Sequence, residues 1–488
     1  MLFNSIEFII FFVFVISIIS AVKFRKFQHI FLLTASYVFF YYSSSYLLSL
    51  LIFSTVLDFY VGKEIYNSKN LRRKKLLLIT SLSGNLGLLG FFKYVDFGIG
   101  QINSLVSNFG IAEIPLLYLI LPIGISFYTF QSISYTVDIY RGKLIPSKSI
   151  AEFALFVSFF PQLVAGPILR ASQFIPQLRE KINKNNITAR LRTITIHDYS
   201  LRIGVTLMAM GFFKKMFFAD NISPMVDEIF SIPFGLESFT VILGAIAFGV
   251  QIYCDFSGYS DIAIGAAIIL GFHIPANFNK PYFATSPVDF WRRWHISLSS
   301  WLRDYLYIPL GGNKKGPSRT YVNLVMVMFL GGLWHGASWN FVIWGLMHGV
   351  YLTVQKLFTN RFPKLKNNTF TQKRHIKIIS ILLTQYFVFM AWLAFRMEDI
   401  DALYYMLYKY VVWDFATGST IQMLSHNKLP ILLIVGFFIL NYISYKRDIV
   451  EKLSKVKPVY WIGFLMSIMM LILFFYDLTP EDFIYFRF

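Results

Sequence analysis

The 488-residue chain holds eight histidines: His29, His197, His273, His295, His335, His348, His375 and His426. Four of them, His29, His197, His375 and His426, fall in polar or boundary segments and read as surface or interfacial residues. His335 is different. It sits in Phe329-Leu330-Gly331-Gly332-Leu333-Trp334-His335-Gly336-Ala337-Ser338-Trp339-Asn340-Phe341, inside an apolar region. An ionisable side chain at membrane depth is costly and usually faces a cavity or a partner. The glycines on both sides leave room for a backbone or a substrate to approach closely. A buried neutral imidazole, whose reference pKa lies near the working pH, is suited to take a proton from a hydroxyl. A histidine that only bridges two helices by hydrogen bonds fits the same pattern.

His295 lies in Phe290-Trp291-Arg292-Arg293-Trp294-His295-Ile296-Ser297-Leu298-Ser299. Arg292 and Arg293 suit an anionic group, such as the phosphate of a carrier or coenzyme. Arginines of an interfacial helix that meet lipid headgroups explain them as well. His348, in Trp344-Gly345-Leu346-Met347-His348-Gly349, reads as a weaker candidate whose ordinary use is helix packing. Asp255 and Asp261 flank an expected break between two apolar runs, where they could pair with arginines or orient a histidine. A purely structural ion pair is an equal alternative. Asp138 and Arg141 could close a helix end by pairing. The sequence has no G-x-x-x-x-G-K-[ST] loop, G-x-S-x-G elbow, H-E-x-x-H or C-x-x-C, so ATP-driven transport and zinc hydrolysis gain no support and no metal site is expected. The single cysteine, Cys254, excludes an intrachain disulfide.

The elements that must position these residues are set by a lipid solvent. The chain is 56% hydrophobic and only 15% charged, with a mean hydropathy of +0.57. Soluble domains carry about 25% charged residues. Apolar runs centre on 6–22, 28–44, 45–62, 76–94, 115–137, 151–166, 201–219, 239–254, 258–272, 321–334, 338–357, 378–396, 429–445 and 459–476. Several are short or hold Gly and Pro, so roughly 11 to 13 helices are expected to cross or enter the bilayer. The first run lacks a basic flank before it and a small-residue cleavage site after it, so it reads as a retained span.

The net charge of +19 is spread between apolar runs, a pattern of cytoplasmic loops facing anionic headgroups and not of nucleic-acid binding. Segment 63–75 holds six Lys and Arg, whereas 95–116 holds none. The positive-inside rule then places 63–75 in the cytoplasm, and 95–116 and the N-terminus outside. Two polar stretches stand out. Segment 170–202 reads as a cytoplasmic loop. Segment 273–320 mixes Trp291, Trp294 and Trp301 with Asp289, Arg292, Arg293, Arg303 and Asp304, which suits helices lying at the interface or folded back into the protein.

At these residues the sequence resembles the membrane-bound O-acyltransferase family, and within it the branch that O-acetylates alginate and peptidoglycan and D-alanylates teichoic acids. The blocks are Leu121-Pro122-Ile123-Gly124-Ile125-Ser126-Phe127-Tyr128-Thr129-Phe130-Gln131, Phe160-Pro161-Gln162-Leu163-Val164-Ala165-Gly166-Pro167-Ile168, Asp255-Phe256-Ser257-Gly258-Tyr259-Ser260-Asp261, the stretch 290–312, and Leu333-Trp334-His335-Gly336. Met1-Leu2-Phe3-Asn4-Ser5 fits as well. Any one block is weak; their combination and order are specific. The resemblance implies an all-α polytopic membrane protein whose helices surround a central tunnel. It implies that His335 is the catalytic histidine and His295 the second functional one, and that an acyl group passes outward, often to a separate extracytoplasmic transferase.

The expected organisation is N-terminal transmembrane helices over 1–115, the catalytic core over 116–357 and C-terminal helices over 358–488. The expected reaction moves an acyl group, acetyl by preference, from a cytoplasmic thioester such as acetyl-CoA to a hydroxyl of a cell-surface polysaccharide. A thioester needs no ATP; it needs a positioned base and stabilisation of the developing oxyanion. His335 is expected as base, with His295, Arg292 and Arg293 positioning donor or acceptor, and Asp255, Asp261 and Asn340 as orienting groups. No bound cofactor or metal is expected. The surroundings are membrane lipid, in the bacterial inner membrane. A polysaccharide or lipid transporter, or a scaffold without chemistry, explains the spans and basic loops equally well, but not why the two histidines fall in those blocks.

Overall fold

The computed structural model describes residues 1, 3–163, 166–183, 186–363, 373–447, 449–476 and 483–484. Leu2, Val164 and Ala165, which belong to two of the blocks above, lie outside the described residues. The fold is helical, and among the described residues strands occur only in one hairpin. Among the described residues six helices are long and apolar enough to cross a membrane, and two shorter apolar helices, Ile6–Ala21 and Pro458–Phe474, accompany them. The chain forms two compact units: residues 1–208 with 260–275, and residues 209–259 with 276–488.

The first unit contains α1 (Ile6–Ala21), α2 (Arg25–Ser44), α3 (Leu48–Asn67), α4 (Leu71–Val106) and α5 (Ile125–Tyr140). Thirteen residues of α5 are buried, so the Leu121–Gln131 block feeds the core of this unit. Its entry turn needs glycine: Gly124 has φ of 79°, and a Cβ there would stand 2.5 Å from the Leu163 carbonyl oxygen. Three expectations change here. The segment 95–116 is not all loop, because α4 runs on to Val106. The expected span at 115–137 becomes helical only at Ile125. In segment 170–202 the chain forms the antiparallel pair β1 (Arg179–Asn183) and β2 (Asn186–Leu191) in place of a plain loop.

The expected break between Asp255 and Asp261 is absent. Residues Ser238–Ile269 form one continuous helix, α6. The reason is a cation 40 residues upstream: the Lys215 ammonium lies 2.8 Å from Asp255 and 2.7 Å from Asp220, all three nearly or largely buried. Pairing offsets the desolvation penalty that made a buried carboxylate look like a helix end.

In the second unit, short helices α7 (Pro287–Trp291) and α8 (Ile296–Leu302) precede α9 (Pro317–His335) and α10 (Trp339–Arg361). The last two form a tight antiparallel-type hairpin whose seam is glycine. A Cβ on Gly332 would stand 2.2 Å from the Phe341 carbonyl oxygen, and one on Gly345 would stand 2.4 Å from that of Met328. Small residues let helix backbones approach where lipid offers no hydrophobic drive. Gly332 therefore serves helix contact, whereas a Cβ on Gly331 would meet only the Leu302 side chain, at 3.4 Å. Gly336, after it, meets the Phe341 ring. The long helices α11 (Arg374–Arg396) and α12 (Lys428–Lys446) complete this unit's main packing.

Candidate active site

His335 is the last residue of α9, where the chain turns through Gly336 into α10. It is buried in a box of aromatic rings. Its ring centroid lies 5.0 Å from Trp334, 5.0 Å from Trp344 and 5.2 Å from Phe395. Aromatic edges and faces at these distances hold an imidazole's orientation without supplying charge.

His295 is fully buried and turns the chain between α7 and α8 with a left-handed backbone, φ 42° and ψ 54°. Such a conformation is costly for a residue with a Cβ and persists only where the surroundings impose it. Its ring packs at 4.7 Å against Phe256 of α6 and 6.0 Å from Trp334 of α9. Its Nδ1 lies 3.0 Å from Asn277 Oδ1, and its Nε2 has no hydrogen-bond partner among the described residues. Burial pushes the imidazole far below its ordinary range, so it is neutral.

The structure adds a third histidine. His348 of α10 is fully buried, 4.8 Å from Trp344 and parallel to Phe290 at 6.0 Å. The Trp291 indole N–H donates to its Nδ1 at 3.3 Å. An indole only donates, so the His348 proton sits on Nε2. Rings of Trp334 and Trp344 thus connect His295, His335 and His348 into one cluster. The sequence alone makes His348 only a weaker candidate, of a kind more often used in helix packing.

The remaining expected site residues separate. Asn340, in the first turn of α10, is fully buried; its Nδ2 donates to the Phe395 carbonyl at 3.4 Å, and its Oδ1 has no partner among the described residues. It shares Phe395 with His335. Arg292 is exposed and lines a cavity of about 500 Å³ together with Trp291, Ser299, Ser300, Arg303, Tyr307 and the apolar face of Val327 and Met328. Ligand cavities have this size and this mix of apolar wall and few polar groups. Trp291 is shared between that cavity and His348.

Arg293 is engaged elsewhere, donating to Asp289 at 2.9 Å and to the Asn279 carbonyl at 3.4 Å. The two adjacent arginines therefore do different work. Asp255 is held by Lys215 and accepts the Ile484 backbone N–H at 2.8 Å. Its neighbour Phe256 packs against the His295 ring. Asp261 belongs to the other compact unit. No group of three or more His, Cys, Asp or Glu among the described residues is arranged to hold a metal.

A helical membrane protein with a histidine cluster in its core matches a known class by sequence as well. Residues 143–398 match the family described as MBOAT, membrane-bound O-acyltransferase. The chain belongs to the membrane-bound O-acyltransferase family, and it is an integral membrane acyltransferase. Among its relatives, the "Probable alginate O-acetylase AlgI" of Azotobacter vinelandii is 36% identical over 441 residues, covering 89% of this chain and 83% of the relative. That of Pseudomonas aeruginosa is 37% identical over 419 residues, 85% of this chain and 76% of the relative. The "Peptidoglycan O-acetyltransferase" of Helicobacter pylori is 37% identical over 400 residues, 77% of this chain and 72% of the relative.

Proposed function

We propose that this enzyme takes an acetyl group from a cytoplasmic thioester, with acetyl-CoA as the reference donor, and delivers it outward for O-acetylation of a cell-surface polysaccharide. The observation that carries the reading is the buried three-histidine cluster around His335, in a chain similar over most of its length to alginate and peptidoglycan O-acetylating proteins. Family membership sets the transporter and scaffold readings aside as the primary activity.

His335 acts as the general base. As an acceptor hydroxyl oxygen attacks the thioester carbonyl carbon, its proton passes to the imidazole; the C–S bond then breaks and the proton leaves with the thiol. Arg292, which is exposed and lines the cavity with Trp291, holds the donor's phosphate, and Asn340 sits where an orienting amide is useful. The last acceptor step belongs to an extracytoplasmic partner transferase. The protein lies in the inner membrane with its N-terminus outside, as the basic segment 63–75 and the Lys- and Arg-free segment 95–116 favour.

The test uses the full chain in lipid nanodiscs with acetyl-labelled CoA and a soluble polysaccharide or alcohol acceptor. Thiol release coupled to an O-acetyl product is expected. Binding of donor with no thiol release under any acceptor condition would overturn acetyl transfer from this thioester. Orientation is read separately, with single cysteines at Lys69 and Ser107 in a Cys254-free background. Labelling by an impermeant thiol reagent on intact cells is expected at 107 only; labelling at 69 only would reverse the topology.

A further inference from the structure

Asn277 lies in Pro275-Ala276-Asn277-Phe278-Asn279, a stretch whose residue types signal no chemistry. In the fold it is almost fully buried and closes on the His295 turn with both of its carbonyls. Its backbone oxygen accepts the Ile296 N–H at 2.9 Å. Its side-chain Oδ1 accepts the Ser297 hydroxyl at 2.9 Å and faces the Ser297 backbone N–H at 3.4 Å. A backbone N–H only donates, so the amide atom that it meets is the oxygen. The same Oδ1 lies 3.0 Å from His295 Nδ1.

Those contacts decide the histidine's tautomer. An amide oxygen cannot donate, so Nδ1 must carry the proton and Nε2 must carry the lone pair. Nε2 is buried and has no partner among the described residues. His348 has the reverse arrangement, with its proton on Nε2. We infer that Asn277 is a positioning residue of this enzyme, fixing His295 in the Nδ1–H form so that its Nε2 lone pair is presented to the reaction. Asn277 acts through His295 and touches no reacting atom. The inference rests on the acyl-transfer reading for its kinetic consequences, but the tautomer itself does not depend on which donor is used. A strained left-handed turn clamped by Asn277 and Ser297 is what such presentation requires, because an unclamped ring could rotate and exchange its nitrogens.

The charge environment makes the assignment testable by pH. The ring is packed by Phe256 of α6, Trp334 of α9, Asn277 and Ser297, none of which titrates. The closest titratable groups along those elements are Asp255, which is tied to Lys215, and His335, the residue after Trp334. Replacing Asn277 by Asp keeps an acceptor opposite Nδ1 and adds a negative charge, which raises the imidazole's pKa. His295 presents its Nε2 lone pair only while the ring is neutral, so a raised pKa moves the acidic limb of the activity profile to higher pH. Replacing Asn277 by Leu removes the acceptor and frees the tautomer.

The experiment combines two readouts on the full chain in nanodiscs. Selective ¹⁵N-histidine labelling, with the His295 signals assigned by difference against His295→Gln, should show Nδ1 protonated in the wild type. The same form should persist in Asn277→Asp, with titration at higher pH, and give way to the other tautomer or a mixture in Asn277→Leu. With acetyl-CoA, Asn277→Leu should lose roughly ten- to a hundredfold in kcat with little change in KM. Asn277→Asp should recover most activity at alkaline pH with its acidic limb displaced upward. An Nε2–H tautomer in the wild type overturns the inference. So does an Asn277→Asp protein, folded by the ¹⁵N spectrum, whose profile matches the wild type or that is as inactive as Asn277→Leu at every pH. If the wild type turns over no acetyl-CoA, the acetyl-transfer reading fails while the tautomer result still stands or falls alone.

Discussion

Each compact unit buries a polar cluster, and the two are used up to different degrees. In the first unit, Asp58 of α3 is fully buried and accepts from Ser81 and from Asn85 of α4, the latter at 2.7 Å, and from Thr136 of α5 at 3.1 Å. Asn85 in turn accepts from Ser54 at 2.6 Å. Both carboxylate oxygens have donors, and three helices are stitched at one point. In the second unit, His295, His348 and Asn340 are as deeply buried, yet each keeps one ring nitrogen or oxygen without a partner among the described residues. Buried polar atoms are nearly always bonded, and exceptions call for a reason. The contrast teaches how to tell glue from chemistry inside a membrane protein. A satisfied network specifies packing, whereas an aromatic-walled cluster with unsatisfied polar atoms is held ready for a substrate.

The comparison breaks first at His335. Replacement by Ala should leave the protein inserted and monodisperse, with a thermal transition within a few degrees, while lowering acyl transfer by about a hundred- to ten-thousand-fold. His335→Gln should do the same. Either variant retaining more than about a tenth of the activity, set against that expected loss, would remove His335 as the base.

A smaller effect separates the adjacent arginines. Arg292→Ala should weaken donor binding roughly ten- to a hundredfold, the value of a hydrogen bond to a charged group, with protein yield unchanged. Arg293→Ala should instead lower the thermal transition, because it frees Asp289 and the Asn279 carbonyl, and leave donor affinity alone. Equal donor affinities in the two variants, measured in detergent, would show that Arg292 is not a donor ligand.

The smallest expected effect sharpens the other side. Asp58→Leu leaves the donors of Ser81, Asn85 and Thr136 unpaired, at a cost of about 1–3 kcal/mol each where no new partner is found. The melting temperature should fall, and the activity of the folded fraction should stay within about twofold, since a structural network carries no step of the reaction. A loss of turnover in well-folded Asp58→Leu, measured per folded molecule, would mean that the first unit also takes part in the chemistry.

Much of this was legible in residue order. A spanning helix needs about 20 apolar residues, so the runs at 338–357, 378–396 and 429–445 reappear as α10, α11 and α12 with their ends moved by a few residues. His335 could be singled out because an imidazole in an apolar, Trp- and Gly-rich run has few ordinary uses. Asp255 misled for the same reason read backwards. A carboxylate between apolar runs looks like a boundary until its counter-ion is known, and Lys215 lies 40 residues away in sequence.

What the amino-acid order determined by itself, then, was the solvent, the approximate spans, the family and the histidines worth attention, because each depends on local composition or on short blocks. Only the tertiary structure decided which groups meet. It joined His348 to His335 through Trp344, assigned Arg292 to a cavity and Arg293 to an ion pair, and set Asn277 against His295 across 18 residues. Tautomer, pairing and exposure are properties of neighbours in space, and in this chain those neighbours come from separate helices and turns that no periodicity links.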